Sequence, residues 1–240
     1  MKKLIKKRLG EWIERFPYLW KMLMVFRYRN HPFVRRLVSP KHDLVIEGYP
    51  RSANSFSVKC FFYSNGWLDA KVATHTHSPA QVSLAAKWGV PTMVLFRDPD
   101  QAVVSFLALS FQSGSLDGER MDEKKKLQWI QYMTRRYVHY YEEIIKVKDK
   151  ILLVSFSEAT NDFGGVLEKL NSQYGKSFEY FEHSKASIDK IFSTSQKHLS
   201  PNDDREKIKK NIKEIYFSKG NEVKREEARK VYSELSRLAG

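Results

Sequence analysis

Three short runs of aliphatic and β-branched residues recur along the chain: Leu44-Val45-Ile46, TMVLF at 92–96 and ILLVSF at 151–156. Each gives way to a polar segment and then to residues of helical period. A strand with no polar alternation is buried on both faces, and that burial needs a parallel sheet covered by helices on both sides. The recurrence therefore predicts an α/β protein with a central, mainly parallel sheet. A shorter strand is expected at 71–74, and helices at 55–63, 79–88, 101–111, 127–146 and 163–174, with a mostly helical, highly charged end of about 55 residues. The polar stretch 112–126, QSGSLDGERMDEKKK, reads equally well as a lid or as a solvated connection. The chain divides into a basic amphipathic helical segment, 1–40, and an α/β domain, 41–240.

At 240 residues and 42% hydrophobic content the chain can bury a sizeable core and is not of disordered composition. Its one cysteine, Cys60, excludes an internal disulfide and a cysteine metal site, and suits a reducing compartment. The formal charge of +14 is concentrated at one end: residues 1–41 hold twelve Lys and Arg against Glu11 and Glu14. Such an excess points to nucleic acid, an anionic membrane surface or an anionic substrate. Ile5, Leu9, Trp12, Ile13, Phe16, Leu19, Trp20 and Leu23 recur there at helical spacing among the cations. That stripe fits a helix lying in the headgroup region through residues 1–30, and equally a helix packed on the protein's own core. Charges at Lys6, Lys7, Arg8, Glu11, Glu14 and Arg15 interrupt any signal-peptide core, and no stretch approaches the roughly 20 apolar residues of a spanning helix. The expectation is a cytoplasmic protein, peripheral at the inner face of the membrane, with nucleic acid a disfavoured partner.

Ligands of open parallel sheets bind beyond the carboxyl ends of the strands, where helix N-termini offer unpaired N–H groups to anions. Two polar loops fall at such ends. In DLVIEGYPRSANSF, residues 43–56, Arg51 stands among small residues; in VLFRDPDQAVVSF, Arg97 ends a strand and Ser105 lies two turns into the next helix. The first loop lacks the second glycine and the lysine of a Walker A sequence, which disfavours a nucleoside triphosphatase. Each loop also has a plain structural reading: a small polar turn in the first, a salt bridge from Arg97 to Asp98 or Asp100 in the second. Together they suit a ligand with two separated anionic groups.

These loops resemble those of sulfotransferases that use 3′-phosphoadenosine 5′-phosphosulfate (PAPS). The family's 5′-phosphosulfate loop, YPKSGTTW, aligns without a gap with Tyr49-Pro50-Arg51-Ser52-Ala53-Asn54-Ser55-Phe56. Its 3′-phosphate segment, RNPKDVAVSYY, is followed closely by residues 97–107. The similarity covers 43–110, with a weaker echo of the family's LLLSYEEL at 151–159. It departs where Arg51 replaces the lysine, Ala53 the glycine, Asn54 and Ser55 the threonines, and Phe56 the tryptophan.

The resemblance implies a P-loop-like three-layer α/β fold and transfer of a sulfuryl group from PAPS to a hydroxyl, leaving 3′-phosphoadenosine 5′-phosphate (PAP), without a metal. Arg51, Ser52, Ala53, Asn54 and Ser55 would hold the 5′ end, Phe56 would stack on adenine, and Arg97 and Ser105 would take the 3′-phosphate. Arg51 would also stabilise the departing phosphate. His77, in His75-Thr76-His77-Ser78-Pro79, matches the family's base in its KTHLP-like segment, and His75 replaces the lysine there. The bland reading is that both histidines cap the next helix or face solvent; a zinc site from the two finds no further ligand cluster in the sequence. Lys197 or Arg205 could supply a further cation to the 3′-phosphate, and neither is assigned. The acceptor is a hydroxyl of a glycan, a glycolipid or a small molecule. The rival readings are a kinase of P-loop type acting on a nucleotide or small molecule, and a basic protein that binds membrane or nucleic acid.

Overall fold

A computed structural model describes residues 9–66, 70–116, 121–193 and 203–240, without the side chains of 203 and 204. Four parallel strands, β1 (Leu44–Gly48), β2 (Val72–Thr74), β3 (Thr92–Phe96) and β4 (Leu152–Ser155), form one sheet in the order β2-β1-β3-β4. All five residues of β1 and of β3 are buried, as unalternated apolar runs require. Along β3 the side chains divide by period two: Met93 and Leu95 join one core, Val94 and Phe96 the other.

The first core is covered by α3 (Asn54–Asn65), α7 (Phe156–Asn161), α8 (Phe163–Tyr174) and α9 (Lys185–Ser193). The second lies under α5 (Pro99–Gln112), α6 (Glu123–Ile145), α10 (Asp203–Tyr216) and α11 (Glu222–Ala239). Sheet and two helical layers make a three-layer α/β protein. Helix α4 (Pro79–Trp88) opens on Pro79 and ends at Gly89, whose φ of 67° is a left-handed stop. Helix α6 starts at Glu123, four residues before the hydrophobic period suggests, because the Asp122 side chain accepts from Lys125 N–H and caps it. Of the stretch 112–126, residues 117–120 lie outside the described residues.

The chain steps from β1 to β2 on one side and returns past β1 to β3 on the other, so the connection reverses between β1 and β3. A crevice opens at the carboxyl ends of strands on either side of such a reversal. Gly48 lets the two strands approach there: a Cβ at that position would lie 2.4 Å from the Leu95 carbonyl oxygen.

The amino-terminal segment is two helices, because Pro17 begins a new one: α1, described over residues 9–14, and α2 (Pro17–Tyr28). Its apolar stripe divides between the two sequence readings. Trp20 is buried with Leu37, Val38 and α4, and Ile13 packs against that cluster, whereas Leu9, Trp12, Phe16, Leu19 and Leu23 are exposed. Ile5 lies outside the described residues. Among the described residues no helix is long and apolar enough to cross a membrane.

Candidate functional site

Residues 49–53 leave β1 at the reversal and turn directly into α3. The turn is so tight that Arg51 and Ala53 have φ of 71° and 72°. The other non-glycine residues at positive φ among those described are His75 and His77, at 59° and 49°, in the loop after β2. Left-handed backbone costs an L-residue roughly 1–2 kcal/mol. Strain of this kind persists where surrounding structure over-determines it, often at sites of function. The first turn of α3 presents the N–H groups of Asn54, Ser55 and Phe56, which a helix leaves without internal acceptors.

Arg51 and Arg97 meet over this turn. Arg51 Nε donates to Ser105 Oγ at 3.0 Å, and Arg97 Nη1 donates to the Arg51 carbonyl at 3.1 Å. The Arg97 guanidinium lies 3.9 Å from the centre of the Phe156 ring and donates to Gln101, while its buried Nε has no partner among the described residues. The two acids that could have paired with Arg97 are otherwise engaged. Asp98 caps α5, accepting from Gln101 N–H, and Asp100 is held by Tyr216 and Arg229. Burial, then the charge of Arg205, lowers the pKa of Arg51; burial, then the charge of Arg51, lowers that of Arg97, with Asp98 opposing. Arg205 is itself buried and donates to Gln112. Lys197 lies outside the described residues.

These groups form one side of a cavity of about 390 Å³. Arg51, Ala53, Asn54, Ser55, His75, His77 and Arg97 reach it, no aspartate or glutamate among the described residues lines it, and Phe56, Phe106, Phe156 and Phe192 make its other side aromatic. Not every predicted residue faces it with a side chain. Ser52 is fully buried with its Oγ 3.4 Å from the Tyr141 hydroxyl, and Asn54 turns back to donate to the Tyr49 carbonyl at 3.0 Å. Both brace the turn. Ser105 also stands behind the surface, as the acceptor that orients Arg51.

His77 is placed from below by a buried acid. Glu47, inside β1, accepts from Thr76 N–H, Thr76 Oγ1, Gln81 Nε2 and His77 N–H at 2.8, 2.9, 2.9 and 3.1 Å. Burial raises the pKa of Glu47, against the pull of His77 and of the Thr76 bonds. The His77 ring lies 2.8 Å from the Gly48 carbonyl through Nδ1. A carbonyl can only accept, so Nδ1 carries a proton, and Nε2 is the nitrogen left to exchange one. His75 is turned differently. Thr74 Oγ1 gives its hydrogen to the Ile46 carbonyl, so His75 Nδ1–H donates to Thr74 and Nε2 accepts from Ser55, at 3.0 and 2.9 Å. Burial, with the charges of His77 and Arg36, lowers the His75 pKa to about 3, and it works as a neutral support for Ser55.

A second cavity of about 460 Å³ meets the first at Pro50 and His77. Ile13, Trp20, Leu23, Met24, Tyr132 and Met133 line it, with Glu14 and Arg136 at its base. Arg136 Nη2 donates to the His77 carbonyl at 3.0 Å and to Glu14 Oε1 at 2.8 Å. The amino-terminal helices are thus ion-paired to the element that holds the histidine.

Several of these residues escape sequence reasoning. Glu47 had a signal, a lone charge within an apolar strand run. Phe156, at the end of ILLVSF, sits at a third strand terminus like Arg51 and Arg97. Tyr137 and Tyr141 lie in the core, and their hydroxyls tie both loops to α6: Tyr141 donates to the Leu95 carbonyl and accepts from Tyr49 N–H, and Tyr137 donates to the Arg97 carbonyl. Among the described residues no group of three His, Cys, Asp or Glu converges as a metal site. No protein-family model, curated protein or solved structure matches the chain.

Proposed function

We propose that the chain is a PAPS-dependent sulfotransferase acting on a hydroxyl acceptor. The observation that carries the reading is the pairing of Arg51 with Arg97 at the β1/β3 reversal, on a cavity lined by no carboxylate of the described residues and with an aromatic opposite side. A ligand with phosphate groups and a flat base complements both halves. PAPS brings a sulfuryl group on a phosphate that leaves as an anion.

In this chain the α3 N–H groups and Arg51 bind the 5′ end and stabilise charge on the departing oxygen. Arg97, whose buried Nε has no partner among the described residues, takes the 3′-phosphate. Phe56, close to Phe192, offers a face to adenine. His77 Nε2 takes the acceptor's proton as that oxygen bonds to sulfur and the bond from sulfur to the 5′-phosphate oxygen breaks, its electron pair leaving with PAP. The contact of the two cavities at His77 supports donor and acceptor entering from opposite sides.

Incubation with ³⁵S-labelled PAPS and a panel of sugar, phenol and lipid hydroxyls tests the reading, beside calorimetric titration with PAP and with ATP. PAP binding and labelled product are expected. Arg51→Ala should weaken PAP binding, and His77→Ala should cut turnover by about 10²–10⁴ while PAP still binds. ATP bound in preference to PAP, or no transfer to any acceptor, overturns the proposal.

A further inference from the structure

Helix α2, PYLWKMLMVFRY, carries two cations in its 12 residues and buries one side chain, Trp20. Tyr18, Leu19, Met22, Leu23, Val25 and Phe26 are exposed, Met22 at 60% and Phe26 at 69%. With Leu9, Trp12 and Phe16 they make nine of the fourteen large hydrophobics exposed among the described residues. Scattered apolar side chains on a surface are ordinary, but a concentration of this size on two consecutive helices marks a contact surface. Its borders are cationic. Arg15, Arg27 and Arg29 are exposed, Arg29 lies over the Phe26 ring, and Lys87 lies over that of Tyr18. The sequence adds Lys2, Lys3, Lys6, Lys7 and Arg8 just before.

An aromatic and aliphatic centre ringed by cations complements anionic headgroups above acyl chains. A second copy placed on this face would oppose its own positive charge, and a nucleic acid would leave the apolar centre against phosphates. The face is also continuous with the second cavity. Leu23 belongs to both, exposed at the surface and lining the cavity that ends at His77. Arg27 stands at the same cavity.

We infer that this face lies on an anionic bilayer and that the cavity behind it receives the acceptor as the hydroxyl head of a membrane lipid. The acceptor half of the inference rests on the sulfuryl-transfer reading; the docking half does not.

The test uses the full chain with vesicles of phosphatidylcholine alone and of phosphatidylcholine with phosphatidylglycerol, each doped with galactosyl diacylglycerol, glucosyl diacylglycerol or ceramide. Co-sedimentation with the anionic vesicles is expected, weakened at least about tenfold by Met22→Glu with Phe26→Glu through the loss of two inserted side chains. Arg15→Gln with Arg29→Gln should reduce the salt-sensitive part of binding. With ³⁵S-labelled PAPS, a doped lipid should be labelled in preference to soluble methyl galactoside, and Met22→Glu with Phe26→Glu should lower that labelling in step with vesicle binding. Failure to bind anionic vesicles, or a dimer in sedimentation velocity that the same variant dissociates, overturns the docking half. Label on none of the three lipids, or equal label on the soluble sugar, overturns the lipid acceptor. PAP titration of the same preparation separates the two readings: PAP bound without vesicle binding sinks this inference alone, and vesicle binding without PAP binding sinks the sulfuryl-transfer reading and its acceptor half.

Discussion

Ala53 stands at φ 72° where the sulfotransferase loops carry glycine, so its methyl group is held in a conformation that glycine adopts freely. Ala53→Gly should stabilise the chain by about 0.5–1 kcal/mol, the relief of left-handed strain less the added freedom of the unfolded chain. A urea midpoint that falls instead would show that the turn is not strained. Tyr141 shows the opposite economy of design, one hydroxyl serving two loops. Tyr141→Phe leaves the Leu95 carbonyl and Tyr49 N–H without that partner in the core, at a cost of about 1–3 kcal/mol. Because Tyr49 begins the turn proposed to hold the 5′ end, PAP affinity in calorimetry should fall with it. His75 predicts a pH effect. Its folded pKa, about 3, lies below the imidazole value of about 6.5, so the unfolded chain takes up the proton first. The stability this group contributes is complete above about pH 6.5 and is lost as pH falls toward 3. His75→Asn, which tolerates the left-handed backbone, should flatten the change in denaturation midpoint over that window. An unchanged slope would exclude His75 as its source.

At the scale of elements, strands were legible because burial on both faces leaves an unbroken apolar run, as in TMVLF. Helix α8 was legible to its end residues for a related reason, apolar period bounded by Asp162 and Gly175. Helix α6 began earlier than its apolar period because a cap, not a hydrophobic face, sets its start. The amino-terminal stripe read as one helix, and Pro17 made it two. In the site, Arg51 and Arg97 could be picked out because each stands just past an apolar run, whereas His77 was found only through the resemblance of its segment to the family's KTHLP. Ser52, Asn54 and Ser105 carry the right atoms, but which way a small polar side chain turns depends on its folded neighbours, here Tyr141, the Tyr49 carbonyl and Arg51. Apart from Phe56, the aromatic side of the cavity was illegible, since Phe106, Phe156 and Phe192 come from three separate elements.

For the whole molecule, the amino-terminal helices cannot be treated as a removable attachment. Arg136 is largely buried between the Glu14 carboxylate and the His77 carbonyl, and Trp20 fills the core beside α4. Glu14→Ala would strand a buried guanidinium and should cost about 3–5 kcal/mol in chemical denaturation, whereas adding Arg136→Met should restore much of it. Deleting residues 1–30 should accordingly lower stability and turnover together, so point substitutions on the exposed face separate docking from catalysis better than truncation. The two arginines of the first cavity, with Arg205 close enough to act on Arg51, repel one another across a space that no acid among the described residues lines. That repulsion opposes folding until a counter-ion is bound, which makes heat resistance a property of the buffer as well as of the chain. Sulfate or pyrophosphate in place of chloride should raise the melting temperature as ligand linkage requires. Arg51→Ala should melt no lower than the parent in chloride and gain less from either anion, so a thermal shift plate could find the charge pattern of the natural ligand before any acceptor is known.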